Sequence, residues 1–214
     1  MKTLKLILLL LLVNFAVQAQ SSSKLIASLK KGISMLDSAK TSDHYLTAAK
    51  YFEGVSITVP KEWLPLYYSA YSNLVAGVTG KAANAEAKDA IYDKAMSYIN
   101  KADALQPNNS EIYVLKGYIT FMKMSVQPQA RAMQMIPEAE GYLLKAKELN
   151  PENPRAYLLL GQNTFYTPQM FGGGKDLAKP LLITAMQKFA KQTVKGAEPA
   201  WGEARCAALL KQCN

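Results

Sequence analysis

Asn108-Asn-Ser-Glu-Ile-Tyr113-Val-Leu-Lys-Gly117 and Glu152-Asn-Pro-Arg-Ala-Tyr157-Leu-Leu-Leu-Gly161 are two versions of one pattern, with tyrosine and glycine four residues apart in each. Residues four apart share a helix face. A glycine there lets a neighbouring helix approach closely, with the tyrosine one turn earlier on the same side. A second spacing recurs around these segments. Ala95, Ile99, Ala102 and Pro107 are separated by 4, 3 and 5 residues, and so are Ala139, Leu143, Ala146 and Pro151. Ala48, Phe52, Val55 and Pro60 repeat the spacing, and Ala178, Leu182, Ala185 and Ala190 keep it without the proline. Each trio forms the packing face of a second helix, and the proline ends it. Four copies of one spacing make the chain a helical repeat array, and nothing in it reads as a strand.

The Tyr/Gly pair, the Ala/large/Ala trio and the closing proline resemble the tetratricopeptide repeat, a helix-turn-helix unit. The resemblance runs from about Lys24 to Ala190 and is loosest in the first repeat. It implies an all-α protein of stacked helix-turn-helix repeats in a TPR-like right-handed superhelix, about four repeats plus a C-terminal capping helix. The period departs from the family's. Pro60, Pro107, Pro151 and Ala190 are 47, 44 and 39 apart, against about 34 in the family. The extra length falls between the two helices of a repeat. With Trp63-Leu-Pro65, Asn153-Pro-Arg155 and a Gly-Gly-Gly-Lys loop, the chain is also similar to a group of exported tetratricopeptide-like proteins of Gram-negative bacteria with no assigned activity.

Helices are expected near 24–40, 43–57, 62–79, 84–105, 110–125, 137–149, 154–166, 177–193 and 200–210. Asp43, Asn84 and Ser110 are the expected N-caps, Pro154 sits in a first turn, and Trp201 is expected to cap the last repeat.

Met1-Lys-Thr-Leu-Lys5, the apolar run from Leu6 to Val17 and the small residues 17 and 19 form a secretory signal peptide over 1–19. A single repeat domain, 20–214, comes after it, and the protein is expected to be periplasmic or secreted. Removing Lys2 and Lys5 lowers the formal charge from +9 to +7. That charge is spread along the chain, without the clustered basic footprint of a nucleic-acid binder.

Cys206 and Cys213 are the only cysteines, and an exported chain with two thiols usually pairs them. Seven residues of helix would part their Cα atoms by roughly 10 Å, beyond the limit of about 7 Å. A disulfide therefore requires the helix to end between them, after Leu210.

No acid, base or metal constellation is legible, so the protein is expected to be no enzyme and to need no cofactor. His44 is the only histidine, and Ser28-Leu-Lys-Lys31 lacks the companions of the penicillin-binding S-x-x-K motif. Gly172-Gly-Gly-Lys175 lacks the Walker Ser/Thr, since Asp176 comes next. It reads as a helix connector, with Asp176 as the next N-cap. Transferring the family's inner-groove positions gives Tyr67, Tyr71, Glu111, Tyr118, Phe121, Arg155, Gln162 and Phe165. These would bind a protein or peptide of the cell envelope, or the tyrosines would pack as core. The insertion 121–135 carries Met122-Lys-Met124 and Met133-Gln-Met135. Either the thioethers hold a soft metal or small ligand, or they fill an irregular connection.

Overall fold

The computed structural model describes residues 22–81 and 84–213; the expected signal peptide lies outside them. The described residues form helices α1 (22–38), α2 (Ser42–Thr58), α3 (Trp63–Thr79), α4 (Ala85–Leu105), α5 (Ser110–Met124), α6 (Pro128–Leu149), α7 (Pro154–Tyr166), α8 (Lys175–Phe189) and α9 (Glu203–Lys211). They contain no strand. Consecutive helices pack closely, α2 with α3, α3 with α4, α5 with α6 and α7 with α8, and the helix pairs stack into a TPR-like superhelix.

The repeat pattern is the packing pattern. Ala48 and Phe52, and all three members of each later trio, are completely buried. In three of the four trios the large residue enters a glycine notch on an earlier helix. A Cβ on Gly117 would lie 2.7 Å from Leu143, one on Gly161 2.9 Å from Leu182, and one on Gly32 2.4 Å from the Phe52 ring. A single methyl group in such a notch overpacks the hairpin at a cost of about 1–3 kcal/mol. In the second repeat Ala70 stands where the others have glycine, and the notch has moved two turns along to Gly77, where a Cβ would be 2.5 Å from Tyr92.

Polar side chains at helix starts tie repeats together. Asn109 and Asn153 cap α5 and α7, accepting from the N–H groups of Glu111 (2.9 Å) and Arg155 (3.0 Å). Ser110, the expected cap, instead donates to the Ala146 carbonyl at 2.7 Å and accepts from Asn153 Nδ2 at 2.9 Å. Asn84 caps α4 as expected, whereas Thr41 rather than Asp43 caps α2. At α8 the N-cap is Gly174, and Asp176 lies inside the first turn, where a carboxylate favours the helix dipole.

Two corrections bear on function. The segment expected to be an irregular connection is mostly helix, because α6 starts at Pro128 rather than near 137. Pro128 occupies the first helical turn, where its missing N–H is no loss, and the residues after it are strong helix formers. Pro137 lies inside the helix and leaves the Met133 carbonyl without its helical donor. The second correction is at the C-terminus. α9 runs on to Lys211, and both cysteines are free thiols. Cys206 is buried and its thiol donates to the Leu182 carbonyl at 3.4 Å. The helix ends one residue beyond the expected Leu210, and residues 212 and 213 form a turn, yet the two thiols stay unpaired.

Candidate functional site

The groove formed by the first helices of the repeats is filled by the chain itself. Beyond α8, residues 194–202 run across α3, α5 and α7 without helical structure. Trp201 does not cap the last repeat. It stacks on Tyr71 (4.9 Å between ring centroids) and Tyr118 (6.2 Å), and its indole N–H donates to the Tyr67 hydroxyl at 2.9 Å. The Tyr68 hydroxyl donates to the Ala197 carbonyl at 2.9 Å. Arg155, 1% exposed, makes two bonds to Glu111, Nε to Oε2 at 2.8 Å and Nη2 to Oε1 at 2.7 Å. It also donates to the Trp201 carbonyl at 3.2 Å. Burial works to lower the Arg155 pKa, but the charge and hydrogen bonds of Glu111 outweigh it and hold the guanidinium firmly protonated. Burial raises Tyr67, Tyr71 and Tyr118, so all three phenols stay neutral.

Most of the eight expected groove positions lie on the inside. Tyr67, Tyr118, Phe121, Arg155 and Gln162 are buried, and Tyr71, Glu111 and Phe165 are half-buried. Tyr67, Tyr71 and Tyr118 take the core alternative.

The apolar surface that remains open lies elsewhere, between the first half of α6 and the α7–α8 connection. It is a cleft of about 690 Å³. One wall is a face of α6, where Pro128, Ala132, Met133, Ile136 and Pro137 recur at helical spacing. Arg131 fixes that wall to α4 through a two-handed pair with Asp89, Nη1 to Oδ1 at 2.7 Å and Nη2 to Oδ2 at 2.6 Å. The same guanidinium donates to the Lys123 carbonyl at 3.0 Å. These hydrogen bonds hold the Asp89 carboxyl below the usual carboxylate range.

The other wall is the turn 166–171. Thr167 is extended because Pro168 comes directly after it, and α7 ends there. A 3₁₀ turn, Gln169–Phe171, leads into the three glycines. Gly172 and Gly174 have φ of 80° and 116°, in the region that favours glycine. A Cβ on Gly173 would lie 2.0 Å from the Thr167 carbonyl oxygen. The Gly174 N–H donates to the Thr164 carbonyl at 2.8 Å, which folds the turn back onto α7. The glycines thus make a connector, as expected, and its effect is to push apolar side chains outward. Met133 is 96% exposed, Met170 83%, Phe171 66% and Tyr166 55%. Exposed apolar surface concentrated in this way is of the kind that interaction sites present.

A smaller cleft of about 360 Å³ adjoins, sharing Met124, Pro128 and Tyr166 with the first. It adds Phe121, Gln162 and Arg205. Arg205 Nε donates to Gln162 Oε1, and its guanidinium lies over the Tyr118 ring, 5.9 Å from the centroid. Phe121 and Gln162 therefore reach a solvent-open cleft after all. Sequence reasoning missed Arg205 and Tyr166, although Met124 and Met133 lay in the singled-out insertion. His44 sits on α2 and lines neither cleft. No group of three or more His, Cys, Asp or Glu placed to hold a metal ion occurs among the described residues. No helix among them is long and apolar enough to cross a membrane.

Fold and cleft together define a TPR-like helical-repeat scaffold with a ligand-sized apolar cleft beside a groove partly occupied by its own C-terminal segment. The chain is similar to the solved HusA haemophore from Porphyromonas gingivalis, at 32% identity over 90% of this chain and 92% of that one, with a TM-score of 0.77. At that identity and coverage it belongs to the family of that haemophore. It also shares its fold with TTC0263, a thermophilic TPR protein in Thermus thermophilus, at 16% identity over 86% of this chain and 98% of that one, with a TM-score of 0.56. No protein-family model matches the chain, and no curated protein matches it.

Proposed function

We propose that this protein is an exported, non-enzymatic carrier that holds a flat, mostly apolar ligand of the haem or porphyrin class in the α6/α7–α8 cleft. The observation that carries the reading is the cleft itself. Its volume of about 690 Å³ lies within the range of roughly 300–1,000 Å³ typical of small-molecule sites. Its walls are apolar and largely pre-formed, and Met133 and Phe171 stand exposed at its mouth. The family relationship to a haemophore supports the choice of ligand. The signal peptide read in residues 1–19 supports a periplasmic or secreted location.

The donor set fits such a cargo. A phenol, Tyr166, and two thioethers, Met124 and Met133, line the cleft, and both kinds of group serve as axial ligands to haem iron. Histidine does not enter, because His44 lies on another repeat. Gln129 and Thr167 apart, the rest of the cleft offers apolar contact, which suits the faces of a macrocycle and binds it with or without iron.

Titration with haemin and with metal-free protoporphyrin, followed through the Soret band, tests the proposal. Both are expected to bind. The double variant Met133→Ser, Phe171→Ser is expected to weaken both by at least about tenfold, since each contact contributes on the order of 1 kcal/mol. Its circular dichroism should stay unchanged, because both side chains are exposed. A Soret band identical to that of the free ligands, or equal affinity in the variant, would overturn the reading.

A further inference from the structure

We infer that Arg205 is a specificity-determining anchor for a carboxylate at the edge of the ligand, so that the site selects acidic porphyrins over neutral ones of the same shape. This rests on the porphyrin reading of the adjoining cleft.

The chain has three arginines, 131, 155 and 205. Two of them hold a carboxylate with both arms of the guanidinium: Arg131 grips Asp89 and Arg155 grips Glu111. Arg205 has no carboxylate partner among the described residues. Its Nε is satisfied by Gln162, whose buried amide orients the group, and the Tyr118 ring lies beneath its plane. Neither contact neutralises the charge. The two terminal nitrogens remain free for an acceptor, and a planar fork of this kind matches a carboxylate two-handedly.

The surroundings give that charge a direction. Arg205 is half-buried, in a cleft lined mostly by apolar side chains such as Phe121, Met122, Met124 and Tyr166, with Gln162 and Ser125 beside them. A cation facing apolar walls is poorly screened and attracts an anion more strongly than it would in water. The shared residues Met124, Pro128 and Tyr166 join this cleft to the larger one. A ligand spanning both meets apolar walls along most of its length and one cation at one end. That is the polarity of a macrocycle with carboxylate side chains on one edge. Because Gln162 and Tyr118 already hold the guanidinium in place, little ordering is left for binding to supply.

The test compares protoporphyrin IX with its dimethyl ester, both metal-free and in the same dilute detergent. Wild-type protein is expected to bind the acid at least tenfold more tightly than the ester. Arg205→Gln should remove that preference by weakening the acid alone, and Arg205→Lys should restore part of it. Equal affinity of the wild type for acid and ester overturns the inference while leaving the porphyrin reading intact. Equal loss of both ligands in Arg205→Gln also overturns it, by showing a merely structural role. Failure of both ligands to bind wild-type protein overturns the porphyrin reading itself.

Discussion

Replacing Trp201 with alanine tests whether the C-terminal segment is a structural part of the groove. The indole contributes two stacked aromatic contacts, to Tyr71 and Tyr118, at about 1 kcal/mol each beyond their buried area. Its N–H meets the hydroxyl of Tyr67, a side chain with no exposure. Deleting the indole removes that hydroxyl's donor, which costs roughly 1–3 kcal/mol unless water enters. These contributions overlap, and Trp201 is only half-buried. The total should therefore fall within the range of about 3–5 kcal/mol seen for buried Trp and Phe truncations, nearer 3. Chemical denaturation followed by far-ultraviolet circular dichroism should show this as a lower midpoint with an unchanged slope. Thermal melting should fall by about 6–12 °C for a domain of this length. Trp201→Phe keeps the stacking and should recover more than half of the loss. A measured loss below about 1 kcal/mol for Trp201→Ala would overturn this. The segment would then lie on the groove without being part of it.

Gly173→Ala is expected to reduce porphyrin affinity by tenfold or more while costing only about 1–3 kcal/mol of stability. Its Cβ would meet the Thr167 carbonyl at 2.0 Å and force the cleft wall to move; parallel titration and melting separate the two effects. The Asp89–Arg131 pair predicts an acid limit. Asp89 has its folded pKa lowered, so it adds stability above the ordinary carboxylate value of about 3.9 and loses it as pH falls through the lower folded value. Porphyrin affinity should therefore be insensitive to this group from pH 7 to 5 and fall only below about pH 4, whereas Asp89→Asn should weaken binding at pH 7 through a loosened α6.

The repeat units were legible because their signal is local. An Ala/large/Ala trio and a glycine on the preceding helix are visible within about thirty residues, and Gly117–Leu143 and Gly161–Leu182 pack as that spacing implies. Gly32–Phe52 and Gly77–Tyr92 escaped because those glycines have no tyrosine four residues before them. The first half of α6 was hidden by its prolines. Pro128 and Pro137 read as helix breakers, yet one sits at the helix start and the other costs a single hydrogen bond. The course of residues 194–202 has no periodicity to betray it. Their position is set by contacts with Tyr67, Tyr71 and Arg155, which lie more than forty residues away in sequence. Arg205 was invisible for a related reason: one arginine in a last helix looks like any solvated side chain until its neighbours are known.

The departures from the family's period and the position of the cleft are one fact seen twice. The third and fourth units run 44 and 39 residues between closing positions, against about 34 in the ordinary repeat. In the third unit the surplus became the extra turns of α6, from Pro128 to Pro137. In the fourth it became the 3₁₀ turn and the glycines between α7 and α8. Those two surpluses are the two walls of the cleft. A standard array would offer its inner groove to a partner, but here the chain's own segment fills that groove with the advantage of a tethered ligand, whose effective concentration reaches about the millimolar range. With much of the inner surface occupied by the chain's own segment, the added residues are the ones that expose methionine and phenylalanine to solvent, and the proposed ligand site falls on them.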